Sequence, residues 1–396
     1  MTNPAPYCGD PAMALGLMLR RNSAGGVLPL FAGRRVGYSF NTRVAIRKAC
    51  DLLGLTPGDE VLAPAYNCGS ELDPLRHAGL HVRLYPVTEG AEVEPEQVAR
   101  LIGPRTRALY LTHYFGFLQP ATAALRALCD DRGLRLIEDC ALSLLSGATP
   151  SECRTGDVSV FCFYKFFPVL AGGALVVNDP RIEQDVVFAG TAPAKMIAKR
   201  LVRAGLGSAL GPWAAARLMQ RLKGQGSLQR ALPVPGTCPD MPSHYYFDPA
   251  LQEARITSFT ARALSGFDVA AAIAARRANY ARLLYALADI PGLVPLYPAL
   301  VPGSVPLSMP VRVRGATRNW LVAALQAEGI TATPWWSGYN RHLDFSDSPE
   351  ADLSAARGLK DTVLSLPSHQ YLGPAEIDHI AARLGDISRH ISRSST

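Results

Sequence analysis

Leu134-Arg-Leu-Ile-Glu-Asp-Cys-Ala141 and, a short excursion later, Val160-Phe-Cys-Phe-Tyr-Lys-Phe-Phe-Pro-Val-Leu-Ala-Gly-Gly173 decide how this chain reads. In the first stretch the apolar run 134–137 predicts a buried strand, with Asp139 just past its carboxyl end. In the second, 158–163 predicts another strand, and Lys165 follows it among aromatic residues. Gly172 and Gly173 then open a third run, Gly173-Ala-Leu-Val-Val177. The 26 residues from Asp139 to Lys165 suit one strand-loop-strand unit. Ligands of open α/β sheets bind beyond the carboxyl ends of strands, so an acid and an amine stand where such a site forms.

Outward from this centre the same pattern repeats. Glu60-Val-Leu-Ala-Pro64, Leu80-His-Val-Arg-Leu-Tyr85 and Ala108-Leu-Tyr-Leu-Thr112 read as short buried strands. Helical spacing marks 42–53, where Gly54 supplies the stop, and also 72–78, 95–102 and 121–132. Strands buried on both faces and alternating with helices predict an α/β fold with a mostly parallel, doubly wound sheet. Before it, the Pro- and Gly-containing first thirty residues end in Val27-Leu-Pro-Leu-Phe31, which reads as an extended arm. After it, 258–287 reads as one long helix carrying Arg276, Arg277 and Tyr280. From Gly292 strands and helices alternate again, ending in a helix over 374–384. Two domains are expected: a large one over 1–255, with a helical insertion at about 190–240, and a smaller α/β one over 256–396 that includes the long helix.

Composition agrees with a globular enzyme. The chain has 396 residues, 48% hydrophobic and 18% charged, enough for a large core. No apolar run reaches the length of a membrane span. The N-terminal residues lack the basic-then-apolar order of a signal peptide. Eight scattered cysteines form no Cys-x-x-Cys pair and read as reduced thiols, so a cytoplasmic protein is expected, without disulfide or zinc framework. No phosphate-binding Gly-x-Gly-x-x-Gly or P-loop pattern is present, nor any metal-ligand spacing.

The formal net charge of +7 belongs to one segment. From Val186 to Pro239 there is no acid, while Lys195, Lys199, Arg200, Arg203, Arg217, Arg221, Lys223 and Arg230 carry eight positive charges. Met196, Ile197, Leu201, Val202 and Leu206 fit one amphipathic helix there, and Trp213, Leu218, Met219 and Leu222 a second. Over 191–230 such helices suit an anionic membrane surface or a phosphate-bearing substrate, and equally a solvated insertion. No nucleic-acid module accompanies the charge, so nucleic-acid binding is not expected.

An acid and an amine at neighbouring strand ends are what pyridoxal 5'-phosphate (PLP) requires: a partner for the ring nitrogen and an amine for the aldehyde. Asp139 also suits the cap of a following helix, and Lys165 a lysine reaching out from a strand edge. The apolar setting of Lys165 favours the catalytic reading, with desolvation and a nearby cation expected to lower its pKa. His113, following the strand that ends at Thr112, is placed with the catalytic groups, to stack on or hydrogen-bond a planar ring; a structural histidine explains it equally well. Phe40-Asn-Thr-Arg43 leads into the first long helix, whose N-terminus suits a phosphate as well as a plain cap.

As an ordered set these residues resemble the DegT/DnrJ/StrS family of PLP-dependent sugar aminotransferases, which have the fold-type I aspartate aminotransferase architecture. The resemblance runs through Gly54-Leu-Thr-Pro-Gly-Asp-Glu-Val-Leu-Ala-Pro64, 106–116, 137–141, 161–173, Arg255-Ile-Thr-Ser258, Arg276-Arg-Ala-Asn-Tyr280 and Leu364-Ser-Leu-Pro-Ser-His-Gln370. It implies that Lys165 holds the cofactor and shuttles a proton, that Asp139 pairs with the ring nitrogen, and that Thr42 and neighbouring amides bind the phosphate. With Asn41, Arg43, Cys162 and Tyr66, these make the expected cofactor-binding set. It also implies a homodimer with shared active sites, and transfer of an amino group from glutamate to a keto-sugar nucleotide in surface polysaccharide or glycosylated-metabolite assembly. Four positions depart from the family pattern. Leu142 stands for a Gln or His, Cys162 for a Ser, Ala171 for an acid, and Glu253 for an Asn that reaches the neighbouring subunit's phosphate. A PLP-dependent lyase or dehydratase, and a non-catalytic sugar-nucleotide binder, are the alternatives. Lys165 argues against the dehydratases that replace the lysine with His.

Overall fold

The computed structural model describes residues 26–147, 155–210, 246–313, 315–336, 348 and 351–394. Seven strands of five to seven residues form the main sheet: β1 (Arg35–Ser39), β2 (Glu60–Pro64), β3 (His81–Tyr85), β4 (Thr106–Thr112), β5 (Arg135–Asp139), β6 (Val158–Cys162) and β7 (Gly173–Val177). Their order is β1-β7-β6-β5-β4-β2-β3. The pairings β2–β3, β2–β4, β4–β5 and β5–β6 are parallel, while β7 runs antiparallel to both β6 and β1. Strands β2, β6 and β7 are buried at every position, as expected of apolar runs covered on both faces.

The covering helices come from the crossovers: α1 (Thr42–Leu52), α2 (Asp73–His77), α3 (Pro95–Leu101), α4 (Thr122–Arg132) and the short α5 (Leu144–Gly147). A basic helix, α6 (Ala194–Leu210), follows the sheet. Its Arg200 donates to the Leu170 carbonyl, and the guanidinium lies 5.2 Å from the centre of the Phe40 ring. Four strands build a second, wholly antiparallel sheet in the order β10-β11-β9-β8: β8 (Leu293–Pro295), β9 (Met309–Val313), β10 (Thr333–Pro334) and β11 (Val363–Leu366). The expected mixed α/β architecture, with a large mostly parallel sheet and a smaller one, is therefore present.

Some elements differ from expectation. Strand β1 has weak apolar patterning and was not expected; Gly37 interrupts it because any Cβ there would meet Val186 at 2.3 Å. The expected extended arm at 27–31 is instead a short 3-10 turn, Leu28–Phe31, whose Phe31 packs edge-on against Phe161 at 5.1 Å. The long helix is two helices, α7 (Ser258–Leu264) and α8 (Val269–Leu287). Gly266 follows the first, and the Asp268 side chain caps the second by accepting from the Ala271 N–H at 2.9 Å. After α9 (Gly315–Ala327) and α10 (Ser354–Thr362), the terminal helix α11 runs over Pro374–Ser394, beyond the expected stop. Trp213, Leu218, Met219 and Leu222 lie outside the described residues.

The N-terminus of α1 rests on β7, and a glycine allows it. A Cβ on Gly173 would meet the Thr42 nitrogen at 2.8 Å, the Asn41 carbonyl carbon at 2.9 Å and the Phe161 oxygen at 2.9 Å. All three are backbone atoms that cannot swing aside. Gly173→Ala is expected to cost about 1–3 kcal/mol through this overpacking. A lowered urea midpoint would show it, and an unchanged midpoint would contradict the packing described.

Candidate active site

The sheet presents its functional groups at one edge because of register. Pairing of β4 with β5 sets Thr112 opposite Asp139, and β5 with β6 sets Asp139 opposite Val160. Cys162 ends β6 opposite Gly173, which places the Lys165 turn just beyond the same edge. The α1 N-terminus closes the side over β7. Between them lies a cavity lined by Asn41, Thr42, Arg43, Cys162 and Lys165 on one side, and by Asp139, Thr112 and Leu142 on the other. Cys68, Ser70 and Glu71, from the loop after β2, complete it together with Tyr164 and Trp336.

Asp139 is buried and held at both oxygens. The Ala141 N–H donates to Oδ1 at 2.8 Å and the Tyr110 hydroxyl to Oδ2 at 2.7 Å. Burial, reinforced by the Glu71 carboxylate, pushes its pKa up from the ordinary value; Lys165 and the two donors pull the other way. Lys165 is half-buried rather than enclosed. Burial pulls its ammonium pKa down, but the surrounding Tyr164, Cys162, Cys68 and Asp139 groups outweigh this and hold it above the ordinary value. The expected lowering by a nearby cation is thus reversed, because the groups that act on the amine are acids.

The N-terminus of α1 opens onto the cavity. The Asn41 side chain accepts from the Val44 N–H at 3.1 Å, so it caps α1 and uses one of the free amides of the first turn. Thr42 donates its hydroxyl to the Phe161 carbonyl at 3.0 Å, which ties α1 to β6. Burial raises the Cys162 pKa, against the pull of Lys165 and the Thr42 hydroxyl, so its S–H remains a donor at neutral pH. Cys68 is pushed up to about 12 by burial and by Glu71. The Glu71 carboxylate accepts from the Cys68 N–H at 3.0 Å and from the Cys68 thiol at 2.6 Å.

Two expected residues stand apart from the cavity wall. His113 accepts at Nδ1 from the Gln119 N–H at 3.0 Å, and its Nε2 meets Glu138 at 3.3 Å, so both ring nitrogens face protein. The structural histidine accounts for it. Tyr66 is buried behind Trp336, with ring centres 4.7 Å apart, and its hydroxyl has no hydrogen-bond partner among the described residues. Of the departures from the family pattern, Leu142 lines the cavity, Ala171 is buried outside it, and Glu253 accepts from Lys48 at 3.4 Å within its own chain.

Sequence reading missed Thr112, Cys68, Ser70, Glu71, Tyr164 and Trp336, along with Tyr110, which orients Asp139. Thr112 and the Asn67-Cys-Gly-Ser-Glu71 loop sit at carboxyl ends of strands already recognised, which is the signal that would have found them. Trp336 gave no such signal. It holds a left-handed φ of 54°, a conformation costing about 1–3 kcal/mol in a residue with a side chain. Lys360 donates to its carbonyl at 3.4 Å and to that of Asn67 at 2.5 Å, which joins this wall to the β2 loop.

The raised pKa of Asp139 has a consequence for stability. A folded-state value above the unfolded one contributes stability below the ordinary carboxylate pKa, and this is lost as pH rises through the folded value. Cofactor-free Asp139→Asn is therefore expected to melt no lower than wild type at pH 7, with any gain shrinking toward pH 4. Thermal denaturation across that range checks it, and a clear loss at pH 7 would contradict it.

The profile of the DegT/DnrJ/EryC1/StrS aminotransferase family matches residues 39–222 and 260–385, which takes in strands β2 to β11 and the cavity. GDP-perosamine synthase of Vibrio cholerae is 34% identical over 145 residues, which are 36% of this chain and 39% of that protein. A dTDP-3-amino-3,4,6-trideoxy-alpha-D-glucose transaminase of Streptomyces venezuelae is 34% identical over 148 residues, 35% of this chain and 38% of that protein. The aligned stretches thus span about two fifths of these relatives. In fold, the crystal structure of the aminotransferase TlmJ from Streptoalloteichus hindustanus superposes with a TM-score of 0.65 at 20% identity, over 99% of this chain and 100% of that one. With more than half its length matched by the profile, this chain belongs to the DegT/DnrJ/EryC1/StrS aminotransferase family.

Proposed function

We propose that the chain is a PLP-dependent aminotransferase that places an amino group on a keto-sugar nucleotide, with glutamate as donor. The observation that carries this reading is the meeting of Asp139, Lys165 and the α1 N-terminus in one cavity. The residues present fit the cofactor. Thr112 Oγ1 is buried on the cavity wall with no hydrogen-bond partner among the described residues, a polar atom that awaits a ligand. Gly173 allows the helix end to approach β7 closely enough to share that wall. When bound, PLP supplies an aldehyde that exchanges amines and a protonated ring that withdraws electrons.

The chain's own groups divide the remaining work. Asp139, fixed by Tyr110 and Ala141, would hold the proton of the ring nitrogen without having to reorient. The backbone amides of Thr42 and Arg43, the helix dipole and the Cys162 S–H would hold the phosphate. Lys165 is the only amine lining the cavity among the described residues, and it would accept and return the proton moved on the substrate carbon. His113 keeps Glu138 company beneath the sheet and takes no part in this scheme.

The relatives' names support a nucleotide-sugar acceptor, and with it a place in surface polysaccharide or glycosylated-metabolite synthesis. On this reading the protein works in the cytoplasm. Tyr164, next to Lys165, is 37% exposed in the single chain, which supports a homodimer whose second subunit completes the site. Exposed Lys195 and Lys199 on α6 offer charge to a diphosphate or to an anionic membrane surface. Among the described residues no helix is long and apolar enough to cross a membrane.

The purified protein mixed with PLP should turn yellow, and glutamate should bleach the colour as the amine is taken up. Lys165→Ala should not show the colour. A colourless wild type, or an unchanged spectrum in the variant, would overturn the reading. Colour that persists with glutamate would point to the lyase or to the binding protein.

A further inference from the structure

The turn that carries Lys165 is gripped from the C-terminal half of the chain. Phe166 and Phe167 both donate their N–H groups to the Phe163 carbonyl, at 3.1 and 2.9 Å, which closes the turn from within. Its outer side is fixed by two donors that converge on one oxygen. Gln370 Nε2 donates to the Phe166 carbonyl at 2.7 Å, and Arg276 donates to the same carbonyl at 3.3 Å. The Arg276 guanidinium also lies 4.8 Å from the centre of the Phe166 ring, so it holds this residue by its face as well as by its carbonyl.

Arg276 is fully buried, on α8, and donates further to the Pro306 and Leu307 carbonyls at 3.1 and 2.7 Å. Gln370 follows β11 and the segment Leu366-Pro-Ser-His-Gln370. The two donors thus come from separate elements of the smaller half. Burying a guanidinium is costly unless it is well bonded, and Arg276 divides its bonds between the Pro306 and Leu307 carbonyls and the residue next to Lys165. Two donors hold the Phe166 carbonyl, so the peptide following Phe166, one residue beyond Lys165, cannot rotate without breaking both bonds.

From this convergence we infer that Arg276 and Gln370 are positioning residues that fix the direction in which Lys165 enters the cavity, and that they couple the lysine to the C-terminal half. The inference rests on the reading of Lys165 as the reacting amine. It makes the C-terminal half part of the lysine's support although Gln370 and Arg276 do not line the cavity.

Gln370→Leu and Gln370→Glu separate this role from packing, since the second keeps the shape and removes the donor. Arg276→Lys keeps the charge and removes the fork. In the cofactor-free protein, competitive labelling of amines across pH reads Lys165 directly. The Gln370 variants are expected to shift the pH midpoint of its labelling by about half a unit or more, with exposed Lys195 and Lys199 unchanged. In the PLP-loaded protein, single turnover with glutamate should slow by about tenfold to a hundredfold while the KM for glutamate holds, as expected of a misdirected group. Unaltered labelling and turnover in both Gln370 variants and in Arg276→Lys, whatever happens to the melting temperature, would overturn the inference. A wild type that takes up no PLP, yet whose Lys165 labelling responds to the Gln370 variants, would overturn the proposed function and leave the clamp standing.

Discussion

The cavity depends above all on the parallel register of β4, β5 and β6. Because Thr112 pairs with Asp139 and Asp139 with Val160, the three strands end together, and whatever follows each of them arrives at one edge. A shift of one residue would turn Asp139 to the opposite face of the sheet and Glu138 into its place. Glu138 is instead occupied on its own side by His113, Ser159 and the Gly156 N–H. Two adjacent carboxylates are thus assigned opposite faces and separate partners by pleating alone.

The electrostatics follow from what the sheet edge gathers. Asp139 and Glu71 bring two carboxylates to a cavity with one lysine, and Asp139 is one of the groups that hold Lys165 protonated against its own burial. Burial keeps both cavity thiols, Cys68 and Cys162, in the S–H form, so they act as weak donors and not as nucleophiles. The helix end of α1 adds positive potential opposite these acids. A ligand with a cationic ring edge and an anionic phosphate complements both ends of this field.

Much of the fold was legible because the main strands are short apolar runs with clear turn residues between them, and the acid and lysine stood out against that background. The α1 N-terminus was legible too, since Asn41 and Thr42 mark a helix start in any context. What stayed hidden was decided by contacts distant in sequence. Strand β1 is visible only through its pairing with β7, and the break before α8 only through the Asp268 cap. His113 looked available because nothing local reveals Glu138 beneath it. Trp336, Arg276 and Gln370 reach the site or its lysine from the C-terminal half of the chain, and no local spacing encodes that approach. Glu71 was hidden for a different reason: an acid in a polar loop reads as solvated until the loop is seen to fold inward.

The account turns on one lysine. Loading the protein with PLP, fixing the cofactor with borohydride and mapping the peptides by mass should place the label on the peptide containing Lys165 and nowhere else. Label at Lys195 or Lys199, or none at all, would contradict it.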